Sequence, residues 1–340
     1  MRHLIRYLLL TLVAFLGLIF IMPHWVTHTY PHDLGPQFSK AIRLDLQRPI
    51  NAQHPQDILL GNSIIVNGID DELFQAITER KTLQMAFNGA ASAYYYLILK
   101  NIIATADAMP EYVLLFFIDN WLTKPDLMVN GNPFLQIMDE VAGDHETVLL
   151  RKAYLNQLNP LVVFLDSHFM LFGERLTIRE KIDARIKYPL SDWFMDCGKA
   201  CLDANLDKAF FYDNMLPAPD TNKIFHDEWS GREWDFNARL TESFLPDLLE
   251  ISRQKEIRLV FVREKNSRFM DLQAESPAMR HYFQDLAAYL HRENIPLLDF
   301  SHDPTLSVEL FRDRMHFVPA ARPIFTRLVA ERFMSTVVDK

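Results

Sequence analysis

A hydroxyl becomes a useful nucleophile when a base removes its proton and a third group fixes the base. Two short stretches of this chain hold the residue types for that arrangement. Ser63 lies in Asp57-Ile-Leu-Leu-Gly-Asn-Ser-Ile-Ile-Val-Asn-Gly-Ile-Asp70. Asp313 and His316 lie far down the chain, in Phe311-Arg-Asp-Arg-Met-His-Phe317. The imidazole of His316 is the candidate base, and the Asp313 carboxylate can set its tautomer and steady its positive charge. The serine sits at a break. Asp57 to Leu60 is an apolar run of the kind that forms a buried strand, and Gly61-Asn62 ends it with residues that tolerate unusual backbone angles. Read by itself, Gly-Asn-Ser is equally a plain turn, and a lone Asp-x-x-His is a weak signal. Each acquires meaning from the other.

The elements that must carry these residues alternate. Strands are expected at Asp57–Leu60, Leu83–Phe87, Tyr112–Ile118, Ile257–Val262 and Ile295–Phe300. Helices are expected at Asp70–Glu79, with acidic residues in its first turn as the helix dipole favours, and at Ser92–Met109, with Ser92 as its cap. Further helices are expected at Phe236–Lys255, bent at Pro246, at Pro277–Glu293, and at Val318–Val338. The unbroken apolarity of Tyr112 to Ile118 suits a central parallel strand buried on both faces. In such a sheet ligands bind beyond the carboxyl ends of the strands. Ser63, Asp119, Asn120 and Arg263 all fall there. Asn120 can donate its amide to an oxyanion. Asp119 is an extra carboxylate that would repel one unless it points away or is paired. Arg263 is placed to hold an anionic substrate group or to pair with Asp119, and a solvent-exposed arginine suits the position equally.

The stretch 122–235 does not continue the alternation and is too long for a simple loop. It carries helical patterns at Pro133–Val141, Thr147–Leu158, Leu161–Phe172 and Thr177–Lys187, and reads as a helical insertion. An apolar helix beside a basic one suits either a lid over the sheet domain or a dock on a membrane.

Gly61-Asn62-Ser63 with Asp313-x-x-His316 resembles the SGNH, or GDSL-like, hydrolase superfamily. Phe87-Asn-Gly-Ala-Ala-Ser-Ala93 and Asn120 resemble its second and third blocks. The resemblance runs from about Asp57 to the C-terminus, with the insertion interrupting it. It implies a flavodoxin-like three-layer α/β/α fold with a parallel five-stranded sheet and a Ser63–His316–Asp313 catalytic set. It also implies an oxyanion hole from the backbone N–H groups of Ser63 and Ala93 with the Asn120 amide. Asn62, Gly89, Asp119 and Arg263 are the candidate substrate contacts. The chain departs from the family at three places. Asn62 stands where an aspartate is usual, Ala93 where the second-block glycine is usual, and Ile118-Asp119-Asn120 where Gly-x-Asn is usual.

The N-terminus adds topology. Tyr7 to Met22 is free of charges, Arg2 and Arg6 precede it, and Trp25 and Tyr30 follow at interfacial distance. The run is long enough to span a bilayer with help from its flanks. The positive-inside rule puts residues 27 onward on the outer side. An uncleaved signal anchor over 1–26, a linker over 27–56 and an α/β domain over 57–340 follow. A cleaved signal peptide would need a small-residue site that Pro23-His24-Trp25 does not supply. His24, His28 and His32 recur every fourth residue, but Pro23 and Pro31 argue against one helix presenting them. Cys197 and Cys201, the chain's two cysteines, suit a short disulfide in an oxidising compartment, and without paired histidines they make no zinc site.

The net charge of −9 argues against nucleic acid as a partner. No phosphate-binding loop or dinucleotide fingerprint is present, so no cofactor is expected. Membrane-anchored members of the superfamily, such as those that acetylate alginate or transfer D-alanine to teichoic acid, work beside a membrane-bound O-acyltransferase. The resemblance therefore implies a serine esterase or O-acyltransferase acting on cell-envelope polysaccharide from the outer face of the inner membrane. The three departures also admit a degraded, glycan-binding or assembly role. The apolar insertion admits a lipid esterase or thioesterase.

Overall fold

The computed structural model describes residues 2–21, 30–31, 42–125, 141–143, 146–154, 159–175, 178, 234–267 and 275–339. The chain divides into two compact units, Met1–Gly35 with Gln157–Ile224, and Pro36–Asn156 with Phe225–Lys340.

The second unit holds a five-stranded sheet: β1 Asp57–Gly61, β2 Thr82–Ala86, β3 Tyr112–Phe117, β4 Arg258–Arg263 and β5 Leu297–Asp299. All neighbours are parallel, in the order β2-β1-β3-β4-β5. That is the flavodoxin-like order, and its connections return every chain segment to the same edge. Register aligns the strand ends: Gly61 lies opposite Ala86, and Phe117 opposite Arg263.

Two-residue alternation splits the sheet's side chains between two cores. Ile58, Leu60, Val113, Leu115, Phe117, Leu259 and Phe261 belong to one, with helices Ser92–Leu97, Leu245–Lys255 and Pro277–Arg292. Leu59, Leu114, Phe116, Val260 and Val262 belong to the other, with Phe74 of helix Asp71–Thr78 and Phe325, Val329 and Phe333 of helix Arg322–Phe333. A sheet covered on both faces explains why β3 is buried at all six positions.

The helices differ from expectation where local chemistry intervenes. The expected Phe236–Lys255 helix is two, Phe236–Leu240 and Leu245–Lys255, because Pro246 cannot continue a helix but suits its first turn. The expected Ser92–Met109 helix widens into a π-turn over Ile98–Ile103 and stops there. Ser92 is its first residue rather than its cap, and the cap position falls to Ala91, which supplies no side-chain bond. Asp70 does cap Asp71–Thr78, accepting from Leu73 N–H at 3.1 Å. β5 covers three residues of the six expected.

In the first unit, Arg2–Ile21 is a 20-residue helix whose described side chains from Ile5 to Val13 are mostly exposed. Among the residues described, no helix is long and apolar enough to cross a membrane. The expected Leu161–Phe172 helix is Pro160–His168 followed by Met170–Gly173. Leu161, Phe164 and Phe169 there are 63%, 49% and 52% exposed. Cys197, Cys201, His24, His28 and His32 lie outside the described residues, as do the Thr177–Lys187 pattern save Ile178 and the Pro133–Val141 pattern save Val141.

Candidate active site

Ser63 is the first residue of a helix, Ser63–Gly68, that the sequence pattern did not reveal. Its signal was Asn62. The Asn62 Oδ1 accepts from Ile64 N–H at 3.1 Å, the bond an N-cap makes. The same amide donates through Nδ2 to the Ala90 carbonyl at 3.1 Å, and the Tyr95 hydroxyl donates to that carbonyl at 3.1 Å. Asn62 therefore serves as acceptor on one side and donor on the other. An ionised aspartate has no hydrogen to donate, so asparagine at position 62 fits its surroundings. Gly89, at φ 73°, makes the turn that presents Ala90 and occupies a region glycine enters without penalty.

His316 comes from a tight loop. Phe311 and Phe317 form an antiparallel bridge, and Arg312 N–H donates to the His316 carbonyl at 2.8 Å. The Phe311 and Phe317 rings lie 4.5 Å apart, and Phe317 packs on Phe325 at 4.9 Å. Buried Phe317 thus roots the loop in the core beneath the last helix. That helix also holds the nucleophile's helix: Arg322 Nε donates to the Ile69 carbonyl at 2.7 Å, and Asp70 N–H donates to Thr326 Oγ1 at 2.9 Å. One element therefore positions two segments that are 253 residues apart.

At the meeting point Ser63 Oγ lies 2.9 Å from His316 Nε2. His316 Nδ1 lies 2.9 Å from Asp313 Oδ2 and 3.0 Å from Oδ1. Asp313 Oδ1 also accepts from the N–H groups of Met315 and His316, at 3.0 and 2.9 Å. Partial burial works to raise the Asp313 carboxyl. The two backbone N–H groups and the His316 ring outweigh it and hold the carboxyl at about 2. An ionised Asp313 selects the tautomer with hydrogen on Nδ1, which leaves Nε2 to accept from the serine.

The other expected residues occupy the same edge. Asn120 is buried in the turn that ends β3, its carbonyl accepting from Thr123 and Lys124 N–H. Ala93 is buried in the first turn of its helix, where backbone N–H groups lack an intrahelical acceptor. The Ser92 hydroxyl donates to the Lys124 carbonyl and so joins these two turns.

Arg263 does not serve as expected. It is buried, with Nη2 on Glu275 at 2.6 Å, Nη1 on Asp299 at 3.1 Å and its guanidinium over the Phe283 ring. As the last residue of β4 it alternates to the Phe261 side, where that ring and those carboxylates lie. Asp119 is held instead by Asn266, whose Nδ2 donates to its Oδ2 at 3.0 Å. Burial pushes the Asp119 carboxyl up, against the Asn266 bond and the nearby Arg263 and Lys124 charges.

The sequence reading missed the residues that follow β4. Ser267 N–H donates to the Arg314 carbonyl at 2.9 Å, and its hydroxyl donates to the Asp313 carbonyl at 3.4 Å. Glu264 is fully buried with neither carboxyl oxygen hydrogen-bonded, and burial pushes it well up. The polar run Glu264-Lys-Asn-Ser267 directly after an apolar strand was the available sign.

Fold and site together define an α/β protein with a Ser–His–Asp constellation at the carboxyl edge of a parallel sheet. No family model matches the chain, and no curated protein matches it. Among solved structures it is similar to a proposed acylhydrolase from Bacteroides fragilis, at 10% identity and a TM-score of 0.40 over 87% of this chain and 99% of that one. It is also similar to an acetyl xylan esterase (13%, 0.37, 83% and 98%). A GDSL-like lipase from Bacteroides thetaiotaomicron is comparable (9%, 0.38, 86% and 99%). Likeness this distant bears on neither reaction nor substrate.

Proposed function

We propose that this chain is a serine acyl-transfer enzyme, an esterase or O-acyltransferase of cell-envelope polysaccharide, held at the membrane by the apolar run at its N-terminus. The observation that carries the reading is the continuous hydrogen-bonded line from Ser63 Oγ through His316 to Asp313. Ser63 Oγ attacks the acyl carbonyl, and its proton moves to His316 Nε2. The imidazolium then gives that proton to the leaving alcohol as the tetrahedral intermediate collapses to an acyl-enzyme. Water or a sugar hydroxyl, deprotonated by the same nitrogen, takes the acyl group and regenerates Ser63. Asp313 steadies the imidazolium throughout. The oxyanion is received by the N–H groups of Ser63 and Ala93 and the Asn120 amide, each such donor contributing about 3 kcal/mol in the transition state.

The envelope setting rests on sequence: the apolar N-terminal run behind Arg2 and Arg6 supports a catalytic unit on the outer face of the inner membrane. A membrane-bound O-acyltransferase is the natural acyl donor for a transfer reaction there. One observation favours a second reading, esterase action on lipid: the first unit exposes the apolar side chains Leu161, Phe164 and Phe169, which suit a lipid surface.

The test uses full-length protein in detergent beside Ser63→Ala, assayed with p-nitrophenyl acetate, acetylated glycans and acyl lipids. Intact-mass analysis looks for an acyl adduct. Turnover and an adduct on Ser63, both absent from the variant, are expected. Glycan over lipid turnover favours the polysaccharide reading, and the reverse favours the lipid one. Equal inertness of both folded proteins, with no adduct, would overturn the enzyme reading.

A further inference from the structure

The segment after β4 touches both halves of the candidate site. On one side Asn266 donates to Asp119, the residue before Asn120. On the other, Ser267 donates to the backbone of Arg314 and Asp313, inside the loop that carries His316. We propose that Asn266 is a positioning residue, a strut that sets the spacing between the Asn120 turn and the Asp313–His316 loop. The proposal rests on the acyl-transfer reading for its catalytic meaning.

Three features fit a strut better than incidental loop packing. Asn266 is buried, so its amide must find partners inside the protein. Asp119 sits at φ 50°, a left-handed bend at the end of β3 directly before Asn120, so what holds Asp119 also bears on that turn. A carboxylate at 119 would repel a developing oxyanion. Turned onto Asn266, it is aimed at a donor instead. The pair as built has a polarity, with the Asn266 amide donating and the Asp119 carboxyl accepting. Aspartate at 266 would instead set two carboxyl groups face to face, which repel when both are ionised and otherwise need a shared proton.

The test is a polarity swap in the full-length protein. Asn266→Asp should lower kcat by roughly 10–100-fold with KM changed far less, the scale expected when reacting groups are displaced by about an ångström. Asp119→Asn combined with Asn266→Asp restores a donor to the pair and should recover activity to within about threefold of wild type, since the hydrogen bond re-forms with its direction reversed. Asn266→Asp as active as wild type, or a double variant no better than Asn266→Asp, would overturn the strut. A second readout does not depend on turnover: the separation of the Asn120 and His316 Cα atoms in crystal structures of wild type and both variants. A shift in Asn266→Asp that returns in the double variant supports the strut, and an unchanged separation in Asn266→Asp refutes it. Should wild type neither turn over nor label at Ser63, the enzyme reading fails while this separation still decides the strut.

Discussion

The two halves of the candidate site meet at 2.9 Å but are built in opposite ways. The nucleophile's half is local and buried. Asn62 is nearly inaccessible, caps the helix it precedes, and is tied to a turn 28 residues away. The acid–base half is more exposed and held from outside. Asp313 is 46% exposed, and its loop depends on the Phe311–Phe317 pair below it and on Ser267 beside it. Substitutions at the two halves should therefore separate chemistry from stability. In the exposed loop a polar change removes function and leaves the fold. Beneath the loop, or in the buried turn, it disturbs both.

The largest separation is expected at Asp313. Asp313→Asn keeps the shape but removes the charge that fixes the His316 tautomer. By analogy with serine proteases kcat should fall about 10⁴-fold, while the melting temperature at neutral pH moves little. Steady-state kinetics with calorimetry on one preparation checks it. A large melting shift would mean that the loop is structural after all.

Phe317→Ala should do the reverse. Phe317 is 2% exposed and wedged against Phe311 and Phe325. Emptying that space should destabilise the protein by about 3–5 kcal/mol, read as a lower urea midpoint. Activity should fall with it, because the root of the His316 loop is gone.

Asn62→Asp tests the buried half with a smaller effect. It keeps the cap to Ile64 but loses the donor to Ala90, leaving a carboxylate against a carbonyl oxygen. Loss of that bond, with the Tyr95 hydroxyl still satisfying Ala90, should cost about 1–3 kcal/mol. Equal stability at neutral pH would show that the Asn62–Ala90 bond contributes nothing net to the fold.

The same contrast explains what could be read from sequence. The central strands were legible because burial on both faces leaves an unbroken apolar run, as in Tyr112–Phe117. Ser63, Asp313 and His316 were legible as residue types whose chemistry is interdependent. Their meeting was not, because it is made by contacts of the last helix with Ile69 and Asp70 that no local pattern encodes. Arg263 was misread because position at a strand end does not tell which carboxylates wait on that face. Helix Ser63–Gly68 was missed because six residues are too few to show a period, although Asn62 announced its start.

The smallest expected effect concerns acid. Asp313 ordinarily titrates near 3.8 and is held at about 2 in the folded protein. The unfolded chain therefore binds the proton more readily. The stability this group contributes is complete above about pH 3.8 and is lost as the pH falls through about 2. Half-exposed as it is, the contribution is modest, since solvent screens such a pair. It is isolated by following melting temperature from pH 5 down to pH 2 for wild type and Asp313→Asn. The difference between the two should be constant above pH 4 and should shrink toward pH 2, where the wild-type carboxyl becomes neutral and resembles the amide. A difference that instead stays fixed to pH 2 would mean that the His316 ring and the two loop N–H groups do not hold the Asp313 charge in solution.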